Sequence, residues 1–203
     1  MADRLSKTQL QIPDGEFHAY LFDCDGTIAD TMPLHHRAWC QALSKWGCEF
    51  PIDLFYAWGG IPGEKIVEML NERNRLSIPP EEAVRAKEDR YFESLSQVRP
   101  VPEVLVHIER QHGKIPMAVV SGSPRDSVLR TLTTLQLLDR FDAVIGAEDY
   151  TFGKPHPEPF LTAARRLEIP PHRCLVFEDA DLGIESARSA GMAYVKVPAI
   201  VHQ

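Results

Sequence analysis

The stretch LFDCDGTIAD, Leu21–Asp30, decides the fold. An apolar run ends on two aspartates, Asp23 and Asp25, with Gly26 directly behind them. Continuous apolar runs bounded by breakers are the pattern of parallel strands covered on both faces. Residues two apart on a strand project to one side, so the two carboxylates reach a common place. Taken alone, the pair is also compatible with turn or cap residues beside a glycine.

Four further runs read as strands: Met117–Ser121, Asp142–Gly146, Cys174–Glu178 and Ala193–Val197, with the first covering Ala19–Cys24. They alternate with helical patterns, which predicts βαβ units in one parallel sheet. Ser123 stands as an N-cap before Pro124, with Asp126 three residues on, opening a helix to about Leu135. Pro157 and Pro159 open another, through about Leu167. Asp181 caps a third, which Gly191 ends.

From about Pro33 to Arg99 no strand is legible. Leu34, Ala38, Ala42 and Trp46 form one stripe of a helix, Glu64–Asn74 carries a second, and Pro79-Pro80-Glu81-Glu82 starts a third. A span this long is not a structureless loop. The reading is an α/β protein with a Rossmann-like, three-layer parallel-sheet core and an inserted small helical cap domain. The core is expected over 1–32 and 100–203, the cap over 33–99.

The chain has 203 residues and a net charge of −7, with no lysine or arginine cluster. Nucleic-acid binders usually present a basic face, so none is expected as a partner. No run approaches the roughly 18 apolar residues of a membrane span. The opening MADRLSKTQLQIPDGE has no apolar signal core and reads as an uncleaved, partly disordered lead-in. Cys24, Cys40, Cys48 and Cys174 match no metal spacing and are expected to be reduced packing residues in a cytoplasmic protein.

Four clusters fall at or beyond strand C-termini: Asp23/Asp25, Ser121-Gly122-Ser123, Lys154-Pro155 and Glu178-Asp179. Open α/β sheets bind ligands at that edge. Adjacent carboxylates repel, and a divalent cation offsets the repulsion; oxygen ligands of this type suit Mg²⁺. Lys154, in the stiff loop Gly153–Pro157, would pair with a phosphate and a carboxylate nucleophile, although a loop lysine by itself is more often solvated. Ser121 and the N–H groups leading into the next helix would cradle an anion. Together the parts suit phosphoryl transfer through an aspartyl-phosphate, with a neighbouring acid moving the proton.

FDCDGT, VVSGS, GKPHPEPF and FEDADLGIESARSAGM resemble the four motifs of the haloacid-dehalogenase superfamily of phosphatases, in order and spacing, over nearly the whole chain. The insertion point resembles a C1-type cap of the β-phosphoglucomutase-like subgroup. Within that subgroup the EDADLGI form resembles bacterial sugar phosphatases active on fructose-1-phosphate. The resemblance implies Asp23 as nucleophile and Asp25 as general acid/base. It implies a metal held by the Asp23 side chain, the Asp25 carbonyl and Asp179, with Glu178 assisting, and a phosphate held by Ser121, Gly122 and Lys154. A cis Lys154-Pro155 bond occurs in relatives. His35 falls where mutases place a histidine near the cap hinge, though a helix-surface residue is the competing reading. The cap loop, WGGIPGEK, departs from the mutase pattern, with Gly59 and Gly63 where basic residues stand; Lys65 would compensate by reaching a second phosphate or a sugar hydroxyl. The expected function is a Mg²⁺-dependent phosphatase of a small phosphorylated metabolite, acting as a monomer. The alternatives are a phosphosugar mutase and a non-catalytic phospho-ligand binder.

Overall fold

The computed structural model describes residues 10–200. Five strands form one parallel sheet in the order β3-β2-β1-β4-β5: β1 Ala19–Phe22, β2 Met117–Val120, β3 Ala143–Ile145, β4 Cys174–Glu178 and β5 Ala193–Lys196. β1 is central, with Tyr20 opposite Met117 on one side and Leu175 on the other. The chain reverses its winding direction there, so the crevice beyond the C-termini of β1, β2 and β4 is the natural ligand site.

Alternation along each strand builds two unlike layers. Tyr20, Phe22, Met117, Val119, Leu175 and Phe177 face α5 (Pro102–Gln111) and α6 (Arg125–Thr134). Phe22 and Phe177 stack at 4.6 Å between ring centres, a contact that adds about 1 kcal/mol to the burial of their area. Ala19, Leu21, Ala118, Val120 and Val176 face α7 (Glu158–Arg166) and α8 (Asp181–Ser189), whose Ala163, Ala164 and Ala187 let the helices lie close. Leu10 and Ile12 pack on the first layer. The lead-in therefore joins the core from Leu10 onward; residues 1–9 lie outside the described residues. No described helix is long and apolar enough to cross a membrane.

Between β1 and α5 run four helices: α1 Met32–Leu43, α2 Ile52–Ala57, α3 Gly63–Asn74 and α4 Pro80–Glu93. Trp39, Leu43, Phe50, Phe55, Ile66, Val67 and Leu70 give them a core of their own. A second cluster, around Leu34, Ala38 and Tyr91, packs against Ala29 and Leu135 and seats these helices on the sheet layer. Two helix-start expectations are corrected. α6 begins after Pro124 with no side-chain cap, because Ser123 turns into the crevice. α7 opens as expected, with Pro157 at its N-cap, Pro159 in its first turn and Leu167 at its C-cap. Asp181 is the first residue of α8 rather than its cap, and pairs with Lys196 at 2.6 Å. The four cysteines are free thiols; three are buried and Cys40 is exposed.

His107 on α5 is buried against Phe177, 5.4 Å between ring centres, and its Nε2 has no hydrogen-bond partner among the described residues. Burial, aided by Arg110, pushes its pKa below the ordinary value. The unfolded chain then binds a proton more readily than the folded one, so stability is lost as pH falls below the unfolded histidine value of about 6.5. Urea unfolding at pH 5 and pH 7.5 should show a smaller acid-side loss for His107→Phe than for the wild type. Equal losses would mean that His107 does not titrate on unfolding.

Candidate active site

Each cluster at the sheet edge is delivered by a strand end. Asp23 follows β1, its N–H bonded to Phe177 O at 2.9 Å. Ser121 follows β2, with its N–H on Ile145 O at 3.0 Å. Glu178 ends β4 and Asp179 follows it. Lys154 arrives on the loop after β3, where the Lys154-Pro155 bond is cis.

The Lys154 ammonium is fully buried, 2.7 Å from Asp23 Oδ1, 2.6 Å from Glu178 Oε2 and 3.2 Å from Val120 O. Burial alone would lower its pKa, but the two carboxylates outweigh that and raise it, so it stays charged. One ammonium does not neutralise three acids. Burial and Glu178 push Asp23 up to about 8; burial and Asp23 push Asp179 up to about 7; Glu178 is raised by burial. Asp23, Glu178 and Asp179 place carboxylate oxygens within 4.8 Å of one another. Crowded, desolvated oxygens with a residual negative charge fit a hard divalent cation. Within the set, Glu178 has both oxygens engaged, by Lys154 and by the Ala180 N–H at 3.1 Å. Asp23 and Asp179 are the freer donors; Asp179 takes one bond, from Thr27 Oγ1 at 3.1 Å.

Asp25 is the best-bonded acid. Oδ1 accepts from Thr31 Oγ1 and meets His35 Nε2, both at 2.8 Å; Oδ2 accepts from Ser123 Oγ at 2.8 Å and Ser121 Oγ at 3.3 Å. Burial would raise its pKa, but His35, Lys87 and the Thr31 hydroxyl outweigh burial and hold it well below the carboxylate range. Cap and sheet meet here, since His35 and Thr31 lie at the start of α1. His35 is buried rather than on a helix surface and stacks on Tyr91 of α4 at 3.9 Å.

The anion cradle is narrower than the sequence suggests. Ser123 N–H donates to Ser121 Oγ at 3.0 Å, and Arg125 N–H to Glu148. Ser121 and Gly122 remain at the crevice, under the cap loop: a methyl on Gly122 would lie 2.6 Å from Gly60 O. Lys65 is the clear misplacement. It is exposed, paired with Glu68 at 2.9 Å, and faces an outer groove instead of the crevice, because Ile66, Val67 and Leu70 take the buried side of α3. The cavity instead receives Lys87 and Glu88 from α4, along with Ser123. Lys87 was findable in the sequence, since it stands between Ala83 and Tyr91 at four-residue spacing on an inward stripe.

Two glycines make the geometry possible. Gly26 has φ +91°, and a methyl there would lie 2.4 Å from Asp179 Oδ2. Its lack of a side chain lets the chain turn away beneath both acids. A methyl on Gly183 would lie 2.1 Å from the Glu178 carboxyl.

The sequence matches the family of haloacid dehalogenase-like hydrolases over residues 17–191. It is similar to the fructose-1-phosphate phosphatase YqaB of Escherichia coli, 39% identical over 178 residues, covering 87% of this chain and 94% of that one. It is similar also to a phosphorylated carbohydrates phosphatase of Thermotoga maritima, 30% identical over 91% of this chain and 85% of that one. Among solved structures, the β-phosphoglucomutase of Clostridium difficile superposes with a TM-score of 0.79 at 28% identity, covering 88% of this chain and 83% of that one.

Gly183→Ala should shift Glu178 and Lys154 together. Overpacking of this kind costs about 1–3 kcal/mol. Urea unfolding and phosphate release should both fall. A variant with unchanged unfolding midpoint and turnover would contradict the tight packing of α8 on Glu178.

Proposed function

This chain belongs to the haloacid dehalogenase-like hydrolases, and from that premise we propose that it is a Mg²⁺-dependent phosphatase of a small sugar phosphate working through an aspartyl-phosphate on Asp23. The observation that carries the reading is the Lys154 ammonium held between Asp23 and Glu178, with Asp25 on the adjacent turn. The kinship with sugar phosphatases supports the substrate class.

Asp25 enters the first step carrying a proton taken up from solvent; Asp23 attacks phosphorus as the bond to the leaving alcohol breaks, and Asp25 gives that proton to the alkoxide. Asp25 then takes a proton from water as the water oxygen attacks phosphorus and the bond to Asp23 breaks, so the acid ends as it began. Thr31, His35, Ser121 and Ser123 hold Asp25 as the carboxylate that the second step needs. Lys154, Ser121 and Gly122 bind the phosphoryl oxygens. Asp23, Asp179 and the Asp25 carbonyl would hold Mg²⁺, with Glu178 anchoring Lys154 beside them. When bound, Mg²⁺ supplies neutralisation of the charge on the transferring group.

A mutase returns the phosphoryl group to a sugar instead of to water. The contact of His35 with Asp25 is the observation on its side. Against it, Gly59 and Gly63 bring no charge to the crevice, and Lys65 points away from it. A non-catalytic binder has no need of a locked Asp25.

Asp23→Asn should lower phosphate release by more than about a thousandfold while the melting temperature holds. EDTA should silence the wild type, and added Mg²⁺ should restore it. Full turnover in Asp23→Asn would remove the nucleophile assignment. Glucose 6-phosphate formed from β-glucose 1-phosphate, without free phosphate, would favour the mutase.

A further inference from the structure

Behind the phosphate cradle stands a hydroxyl that phosphoryl transfer leaves unused. Tyr150, on the loop from β3 to α7, donates from its Oη to Ser121 O at 2.9 Å. Four residues on, Lys154 reaches the preceding carbonyl, Val120 O, at 3.2 Å. One loop thus holds two successive carbonyls at the C-terminus of β2. The loop is itself pinned on both sides of Tyr150. Asp149 Oδ2 accepts from the Gly146 N–H at 2.9 Å, and the Glu158 carboxylate accepts from the N–H groups of Thr151 and Phe152 at 3.1 and 2.9 Å. The Tyr150 ring packs on the second sheet layer and lines the outer groove rather than the crevice. Burial pushes its pKa above the ordinary phenol value, so the hydroxyl keeps its proton.

Ser121 O and the Gly122 N–H belong to one peptide unit. Among the described residues the one cis bond is Lys154-Pro155, so this unit is trans and planar, and its C=O and N–H point in opposite directions. Anchoring the oxygen on Tyr150, at the outer side, turns the N–H toward the crevice that Gly122 lines. The neighbouring donors are already taken: the Ser121 N–H by Ile145 O and the Ser123 N–H by Ser121 Oγ. Gly122 is buried, and its N–H has no hydrogen-bond partner among the described residues. Buried N–H groups without an acceptor are rare in folded proteins, and an anion in the crevice supplies one here.

We propose that Tyr150 is a positioning residue for phosphoryl transfer: its hydrogen bond to Ser121 O fixes the plane of the Ser121–Gly122 peptide so that the Gly122 N–H meets a phosphoryl oxygen. This rests on the phosphatase reading above. Donation to the carbonyl also polarises the amide, which makes its N–H a stronger donor. Tyr150 touches neither the phosphoryl group nor the alcohol, because its ring stands outside the crevice. Its effect therefore falls on the phosphoryl group, whatever alcohol that group leaves.

Tyr150→Phe removes the hydroxyl and keeps the ring. The test is kcat/KM on fructose 1-phosphate and p-nitrophenyl phosphate, the affinity for inorganic phosphate, and the amide-proton shift of Gly122 as inorganic phosphate is titrated, with melting temperatures alongside. Misdirecting an anion-hole donor costs less than removing it, so kcat/KM should fall by about tenfold on both substrates alike, and phosphate should bind about tenfold more weakly. The downfield move of the Gly122 proton on phosphate binding should shrink. A lower melting temperature with wild-type phosphate affinity and Gly122 shift would show a bond that only stabilises the loop, and would overturn the inference. So would a loss confined to fructose 1-phosphate, which would place Tyr150 against the sugar. Either result leaves the phosphatase reading standing. If Tyr150→Phe does not fold, 3-fluorotyrosine in place of Tyr150 decides. Its more acidic hydroxyl should move the Gly122 proton of the phosphate-bound enzyme further downfield, and an unmoved proton would overturn the inference. Absence of phosphate release from both substrates by the wild type would overturn the phosphatase reading and the inference with it.

Discussion

A single buried ammonium, that of Lys154, bridges carboxylates from two strands, Asp23 beyond β1 and Glu178 at the end of β4. The rest of the site follows from that contact. Burying three charges costs several kcal/mol per ion, and close pairing recovers enough of it only when the geometry is fixed. The sheet supplies the fixing. β1 and β4 are neighbours in register from Ala19–Cys174 to Phe22–Phe177, so their ends emerge side by side. Losing the ammonium would leave two facing carboxylates in a dry crevice, a change of about 3–5 kcal/mol.

The charge count beside that contact accounts for the chemistry. Three acids and one ammonium leave an excess of negative charge, which burial makes expensive and a divalent cation relieves. Asp25 is treated differently by its surroundings. His35, Lys87 and Thr31 keep it ionised while burial and Glu178 push Asp23 upward. Separate environments thus push apart two carboxylates two residues apart, which supports the proposed acid/base division. The cap side reaches the same acids: Thr31 and His35 at the start of α1 hold Asp25, and Lys87 and Glu88 of α4 line the same cavity.

The sheet was legible because continuous apolar runs such as Cys174–Glu178 have few other uses in a chain of this composition. Acidic residues at their ends marked the crevice for the same reason. What stayed hidden depends on how remote segments dock. Ser123 has the sequence of a helix cap, and only its distance to Asp25 reveals a different partner. Thr27 and Thr31 are ordinary turn residues until Asp179 and Asp25 are placed beside them. Lys65 and Lys87 are both helical lysines within the insertion. The stripe of Ile66, Val67 and Leu70 turns Lys65 outward, whereas Ala83 and Tyr91 draw Lys87 inward. The two stripes by themselves separate the two lysines.

On the proposed function, the Asp23 carboxylate, fixed by Lys154, becomes phosphorylated during turnover. Trapping tests it most directly: enzyme turning over fructose 1-phosphate is quenched with borohydride, which reduces an acyl phosphate to the alcohol, and the digested chain is read by mass spectrometry. Homoserine in place of Asp23, and at no other acidic residue, is the expected result. Continued phosphate release with Asp23 unmodified, or with the label on another carboxylate, would contradict the account.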